Sequence, residues 1–208
     1  EKTRHGGCAF CDGTGSVAVY QRNTESGFFR NSGYEDEVAS RILDRFASIE
    51  AQIEKGKAFI KRRYKAEEYA LYFQSWTNTY DTADNLKKIY DKALSYGPFR
   101  EFIVSTRPDC LPDDVIDLLA SYIRDDMEVW VELGLQSSND ETLRRINRGH
   151  DSKCYLDAVK KLQKRGLKVS THVIFGLPGE VRKDYINTVK CVNESGSDAI
   201  KIHNLHVS

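Results

Sequence analysis

The chain has 208 residues, of which 40% are hydrophobic and 30% charged, and its formal net charge is zero. This composition predicts a soluble globular protein and excludes a disordered chain. A neutral chain has no global field that attracts a polyanion, so nucleic acid would need a local basic patch. No apolar run is long enough to cross a bilayer, and we expect no membrane partner.

The five cysteines are unevenly spaced, which argues against a disulfide scaffold and predicts a reducing, cytoplasmic location. The sequence begins at Glu1 without an initiating Met, and its last residues resemble a strand. We therefore expect a fragment that is truncated at both ends.

Short apolar runs alternate with longer amphipathic stretches along the chain. The predicted strands cover residues 69–74, 101–106, 127–133, 167–175 and 199–205. The predicted helices cover residues 35–64, 82–96, 113–124, 139–165 with a break near Gly149, and 180–194. Ser138 and Glu141 predict a capping box, and Gly166 predicts a helix C-cap. The alternation indicates parallel βαβ units with right-handed crossovers.

Two architectures fit this order: an open doubly wound sheet and a barrel. Polar residues share one face of several strands: Glu132 with Gln136, Ser105 with Arg107, and Lys201 with His203. An open sheet covered by helices is apolar on both faces, so these residues favour a barrel with a polar lumen. We predict an α/β fold, a partial (β/α)6 TIM-like barrel, in one domain over residues 1–208. Residues 1–33 would form a cysteine loop, and residues 34–208 the β/α repeats.

The first chemical motif is Cys8-x-x-Cys11. By itself it suits half of a zinc site, a redox dithiol or part of an iron–sulfur site. The absence of a second C-x-x-C motif weakens the zinc interpretation. Four further motifs follow predicted strands, at the edge that carries the active site in β/α barrels. They are TRPD (residues 106–109), ELGLQS (132–137), NRGH (147–150) and GLPGE (176–180).

Together, these five ordered motifs resemble the radical S-adenosylmethionine (SAM) superfamily. The chain is most similar to the branch that contains the Elongator-type tRNA wobble-uridine enzymes and the oxygen-independent coproporphyrinogen oxidases. Within it, a small bacterial and archaeal family linked to wobble-uridine modification resembles the chain most. The resemblance implies a cytoplasmic enzyme with a 4Fe–4S cluster and SAM, an external electron donor of the flavodoxin or ferredoxin type, and tRNA as substrate.

The resemblance also implies the cofactor-binding residues. Cys8 and Cys11 match two of three cluster cysteines, and the third would fall before Glu1. Gln136 and Arg148 match a pair that contacts the ribose and carboxylate of SAM. The remaining implied contacts are Gln74, Ser105, Glu132, His172 and the backbone at Gly176. Catalytic residues beyond these are not implied.

Several structural roles compete with these assignments. Glu132 suits a barrel-filling residue paired with Lys201 or Arg107, and Arg148 suits a helix cap or a partner of Asp151. The basic run from Lys55 to Lys65 suits solvated helix surface better than an RNA patch.

Two other functions remain open from the sequence. One is a non-catalytic RNA-binding barrel that has lost its cluster, and the other is a barrel that binds zinc through the C-x-x-C motif. For a tRNA substrate, the residues expected to stack on a base at the barrel mouth are Trp76, Tyr80 and His150. Cys110, which follows a strand end, is a weak candidate for a functional thiol, whereas Cys154 and Cys191 suit packing residues.

Overall fold

The computed structural model describes residues 48–74 and 76–205. Cys8, Cys11 and the predicted cysteine loop lie outside this part of the chain, and so does the first part of the first predicted helix. No helix among the described residues is long and apolar enough to span a membrane.

Among the described residues, consecutive strands are always separated by helix, and two helices lie between β3 and β4. In chain order they are α1 Ile49–Tyr64, β1 Ala70–Phe73, α2 Ala83–Leu94, β2 Glu101–Thr106, a 3-10 turn Pro108–Cys110, α3 Asp113–Ala120, β3 Glu128–Gln136, α4 Asp140–Arg145, α5 Ser152–Lys164, β4 Lys168–Phe175, α6 Arg182–Ser195 and β5 Ala199–Asn204. The predicted break near Gly149 separates α4 from α5. Each predicted strand is present within a few residues of its predicted bounds.

Helix ends follow local side-chain chemistry. Asn139, not Ser138, caps α4, because its side-chain oxygen accepts the backbone N–H groups of Glu141 and Thr142. The predicted capping box is therefore wrong by one residue. Gly166 follows α5 with φ +77°, a left-handed conformation that glycine adopts without steric cost, so the predicted C-cap is confirmed.

The five strands form one parallel sheet in the order β1-β2-β3-β4-β5. When every crossover in such a sheet is right-handed, all the helices cover the same face. A doubly wound sheet reverses its strand order and places helices on both faces. The sequential order therefore favours the barrel over the open sheet, and it confirms the predicted α/β class with a barrel-type arrangement. Five strands fall within the described residues, against six in the prediction.

The two faces of the sheet differ in chemistry. The helix-facing side is apolar and buried, with Phe102, Val131 and Val169 as examples, and α2, α3 and α5 pack on it through residues such as Tyr90 and Tyr155. The alternate residues, which include Ser105, Glu132, His172 and Lys201, face away from the helices. Since successive side chains of a strand point to opposite faces, this second set lines the lumen.

Candidate active site

Gly134 is the point around which the predicted site assembles. It lies on β3 opposite His172 of β4. A Cβ atom at Gly134 would lie 2.5 Å from Arg148 Nη2 and 2.8 Å from Gln136 Nε2. The missing side chain thus leaves the space that the guanidinium and the amide occupy, and the structure places three predicted residues around one glycine.

Strand β3 is irregular where it reaches this point. Its register to β4 shifts between Gly134 and Gln136, and Gln136 has φ +73°. Positive φ is uncommon for a residue with a side chain and marks local strain. At this irregularity the amide of Gln136 lies over Gly134, on the lumen face.

Arg148 is held on one edge by two acceptors. Its Nε donates to His150 Nε2 at 2.8 Å, and its Nη2 donates to the carbonyl oxygen of Gly134. Asp151, which the sequence offered as an alternative partner, caps α5 by accepting the backbone N–H of Cys154 at 2.7 Å.

Glu132 forms the ion pair that the sequence offered as its structural role. Lys201 Nζ lies 3.0 Å from Glu132 Oε1, and Tyr72 donates its hydroxyl proton to Oε2 of the same carboxylate. Lys201 Nζ also donates to the Tyr72 hydroxyl oxygen at 3.0 Å. Burial, followed by the hydrogen bond to Glu132, raises the pKa of Tyr72, so the phenol stays protonated. We name Tyr72, Glu132 and Lys201 the lumen triad.

His172 lies beside the lumen triad. Its ring centroid is 3.9 Å from that of His203 on β5. Burial, and next the neighbouring His203, lower the pKa of His172 to about 4. The ring is therefore neutral near pH 7, and both histidines can approach each other without charge repulsion.

Two buried polar atoms near Gly134 have no hydrogen-bond partner among the described residues: Gln136 Oε1 and His172 Nε2. A buried polar atom without a partner costs about 1–3 kcal/mol. A ligand that brings hydroxyl and amine groups to this position would remove that cost.

The other three predicted cofactor-binding residues, Ser105, Gln74 and Gly176, lie on the strands around this group or at their ends. Ser105 pairs in register with Glu132 on the neighbouring strand, and its carbonyl oxygen accepts from the Asn78 side chain at 3.0 Å. Gln74 is exposed at the end of β1, and Gly176 follows β4 with φ +94°. The structure thus brings Glu132, Gln136, Arg148 and His172 together in the lumen, with Ser105 beside them.

Sequence reasoning missed Tyr72, Gly134 and the role of His150. Gly134 interrupts an apolar strand, which is a usable signal for close approach of another group. No local signal identifies Tyr72, because its partners lie 60 and 129 residues further along the chain.

Two other predictions about site residues change with the structure. His150 is only 8% exposed and bonded to Arg148, so it offers no surface on which a base could stack. Burial raises the pKa of the Cys110 thiol, which argues against a reactive thiolate at this strand end. Cys110, Cys154 and Cys191 are half-buried and unbridged. Among the described residues there is no group of three or more metal-ligating side chains.

Hydrogen bonds connect the segment that follows β3 with the segment that follows β4, at the carboxyl ends of these strands. Arg145 donates through Nη1 to the carbonyl oxygen of Pro178 at 2.6 Å and occupies the space that a Cβ at Gly179 would fill. Ser137 donates to Glu180, and Asn139 Nδ2 donates to Asp184 at 3.1 Å. The turn after β3 and the turn after β4 therefore form one connected wall beside Gly134.

Comparison with known proteins agrees with the motifs. Residues 5–192 match the family described as the Radical SAM superfamily. Protein YhcC of Escherichia coli is 46% identical over 143 residues, which cover 69% of this chain and 46% of that protein. YtqA of Bacillus subtilis is 36% identical over 203 residues, covering 98% of this chain and 56% of that protein. The chain thus spans about half the length of these curated relatives.

A more distant relative carries a named activity. The tRNA-2-methylthio-N(6)-dimethylallyladenosine synthase of Clostridium botulinum is 36% identical over 98 residues, 46% of this chain and 21% of that enzyme.

Solved structures share the fold. Coproporphyrinogen III oxidase (HemN) from Escherichia coli, described as a radical SAM enzyme, aligns with a TM-score of 0.61 over 97% of this chain and 42% of its own, at 20% identity. Elp3 of Methanocaldococcus infernus aligns with a TM-score of 0.67 over 78% of this chain and 43% of its own, also at 20% identity.

Proposed function

The chain belongs to the radical SAM superfamily, and from that premise we propose that it modifies a wobble uridine of tRNA. Membership makes the protein an enzyme of a superfamily that uses a 4Fe–4S cluster and SAM. When bound at such a cluster, SAM supplies a 5′-deoxyadenosyl radical after one electron cleaves its sulfonium. The residues of this chain contribute binding, orientation and exclusion of water.

The observation that carries the cofactor assignment is the pair of unpartnered atoms beside Arg148. Gln136 Oε1 needs a donor, and His172 Nε2 needs a partner of either kind because the neutral ring has two tautomers. SAM offers ribose hydroxyls, a methionyl amine and a carboxylate. Arg148 stays charged at every working pH and suits the carboxylate. The donor set around Gly134 therefore fits SAM, whereas Cys8 and Cys11 remain cluster ligands on sequence grounds alone.

The tRNA substrate is supported by two features. The Clostridium botulinum relative acts on tRNA. Trp76 and Tyr80 are 59% and 82% exposed on the segment after β1, where strand ends open the barrel. Exposed aromatic rings at that mouth suit a base that has left its stack to reach a buried radical.

The basic run lies at the other end of the barrel. It ends α1, which connects through residues 65–69 to the start of β1. Lys57 donates to the carbonyl oxygen of Tyr96, which precedes the start of β2. Phosphate contacts beside the mouth must therefore come from other residues than Lys61, Arg62 and Arg63.

The test uses the full-length protein, reconstituted anaerobically with iron and sulfide. With SAM and a low-potential reductant we expect 5′-deoxyadenosine, detected by chromatography, and we expect its loss in Cys8→Ala and Arg148→Ala. Glu68→Gln, which alters an exposed ion pair with Arg100, is the control. Failure to incorporate iron, with no 5′-deoxyadenosine, would leave the non-catalytic RNA-binding barrel that has lost its cluster, and zinc in place of iron would leave the zinc barrel.

The substrate is tested separately. Mass spectrometry of tRNA nucleosides from a deletion strain should show loss of a wobble-uridine modification that the wild-type gene restores and an Arg148→Ala gene does not. Unchanged nucleosides would contradict the tRNA assignment and leave the radical enzyme standing.

A further inference from the structure

The contacts of His150 indicate which of its ring nitrogens accepts a hydrogen bond. Its ring is 8% exposed. Nε2 lies 2.8 Å from Arg148 Nε and 3.1 Å from the Gly134 carbonyl oxygen, and Nδ1 lies 3.1 Å from the Asp151 carbonyl oxygen. Arg148 Nε always carries a hydrogen and cannot accept, so Nε2 must be the acceptor. The ring proton then sits on Nδ1 and is donated to Asp151.

The same contacts align Arg148. His150 Nε2 and the Gly134 carbonyl oxygen are two acceptors 3.1 Å apart, and one edge of the guanidinium donates to both, through Nε and Nη2. Two parallel bonds on one edge fix the plane of the group as well as its position. The absence of a side chain at Gly134 leaves room for this arrangement.

The surroundings of His150 favour the neutral ring, in which Nε2 can accept a hydrogen bond. Burial, and next the positive charge of Arg148, lower the pKa of His150. The ring contacts with the carbonyl oxygens of Asp151 and Gly134, followed by the carboxylate of Asp109, oppose this without reversing it. A protonated ring would present a hydrogen to Arg148 Nε and place two cations in contact.

We propose that His150 is a positioning residue, which as a neutral acceptor orients Arg148 toward the methionyl carboxylate of SAM. The inference rests on the proposed function, since it takes SAM as the ligand of Arg148. It adds a role for His150, the last residue of the NRGH motif, which orients the motif's arginine, Arg148.

The experiment compares two ligands in the reconstituted full-length protein by isothermal titration. SAM carries the carboxylate, and 5′-methylthioadenosine lacks the whole amino-acid portion. In His150→Leu, which removes the acceptor, we expect the SAM dissociation constant to rise about tenfold, the effect of one lost hydrogen bond to a charged group. Affinity for 5′-methylthioadenosine should not change. His150→Gln, which returns an amide acceptor near the Nε2 position, should restore most of the SAM affinity.

The matched control is Tyr155→Phe. Tyr155 is buried on the helix side of the sheet, where its hydroxyl contacts Thr171 at 2.8 Å, so the variant loses stability without reaching Arg148. Equal weakening of both ligands in His150→Leu, or no rescue by Gln, would overturn the positioning role.

A second measurement stays decisive if His150→Leu does not fold. Nitrogen-15 NMR of the cluster-free wild-type protein should report a neutral His150 with its proton on Nδ1. A proton on Nε2 would overturn the inference. A wild-type protein that shows this tautomer but binds no SAM would reject the proposed function and, with it, the carboxylate as the target of Arg148, while the His150–Arg148 bond would stand.

Discussion

The side chains of Tyr72 on β1 and Lys201 on β5 meet in the lumen, with Nζ 3.0 Å from the hydroxyl oxygen and 5.2 Å from the ring centroid. These strands are the first and fifth of the sheet. In a flat sheet, strands four places apart are separated by roughly 19 Å, because neighbours lie about 4.8 Å apart. The contact therefore requires a strongly curled sheet. Glu132, on the middle strand, contacts both side chains through its carboxylate.

The lumen triad should contribute measurably to stability. Glu132 is 4% exposed, so Glu132→Gln would leave the Lys201 ammonium without its counter-charge. We expect the free energy of unfolding to fall by about 2–3 kcal/mol. This is at or below the lower end of the cost of breaking a fully buried ion pair, because Lys201 is partly exposed. Chemical denaturation followed by circular dichroism measures it. Glu68→Gln, which breaks the exposed pair with Arg100, should cost less than about 1 kcal/mol. Equal losses in the two variants would refute a special role of the triad.

Gly134→Ala should disturb the site more than the fold. The added Cβ would meet Arg148 Nη2 at 2.5 Å and Gln136 Nε2 at 2.8 Å, so both side chains must move. We expect SAM affinity to fall at least about tenfold, with a stability cost of about 1–3 kcal/mol for overpacking. Titration calorimetry gives the affinity.

Gly166→Ala is the control for Gly134→Ala. It strains a left-handed residue, but its Cβ would meet only Ile123 Cδ1 at 3.6 Å, on the helix side of the sheet. The Gly166→Ala variant should be less stable than the wild-type protein and should keep its affinity for SAM. Unchanged SAM binding in Gly134→Ala would show that Arg148 and Gln136 do not need their present positions.

His172 should make the fold sensitive to acid. Its folded pKa of about 4 lies below the ordinary value of 6.5, so the unfolded chain binds the proton first as the pH falls. The free energy of unfolding is therefore highest above pH 6.5, where His172 is neutral in both states. It falls between about pH 6.5 and 4, by up to about 1.4 kcal/mol per pH unit. Denaturation at pH 7.5, 6 and 5 should give a shallower slope in His172→Asn. His150, whose pKa is also lowered, keeps part of the slope in that variant. An identical pH dependence would contradict the burial of a neutral His172.

Binding of tRNA should depend on the mouth and not on the end of α1. Trp76→Ala and Tyr80→Ala should weaken it, by about 1–3 kcal/mol for each base that is stacked. A combined Lys61→Ala, Arg62→Ala and Arg63→Ala variant should lower affinity little and leave most of the salt dependence, because those residues lie where the strands begin. Fluorescence anisotropy with full-length protein at low and moderate salt measures both. The reverse pattern would move the RNA surface to α1.

The sequence by itself determined the elements and their type. Alternating apolar runs predicted each strand that the described residues contain, and Gly166 marked the end of α5, because backbone preference and burial pattern act between neighbouring residues. The order of the motifs also identified the family. The N-cap of α4 was missed by one residue, because Ser138 and Asn139 are both good caps and only the backbone path selects between them.

Only the tertiary structure decided which side chains meet. The partner of Glu132 was left open between Lys201 and Arg107, and Tyr72 was not considered, since the curl of the sheet brings them together across 60 to 129 residues of chain. His150 looked like an exposed ring and is a buried acceptor, because its surroundings come from β3 and from the turn that precedes α5. The basic run kept its place on a helix surface, but the connection of α1 to β1 put it at the end of the barrel away from the mouth. Contacts of this kind depend on strand order and curvature, which no local pattern of residues encodes.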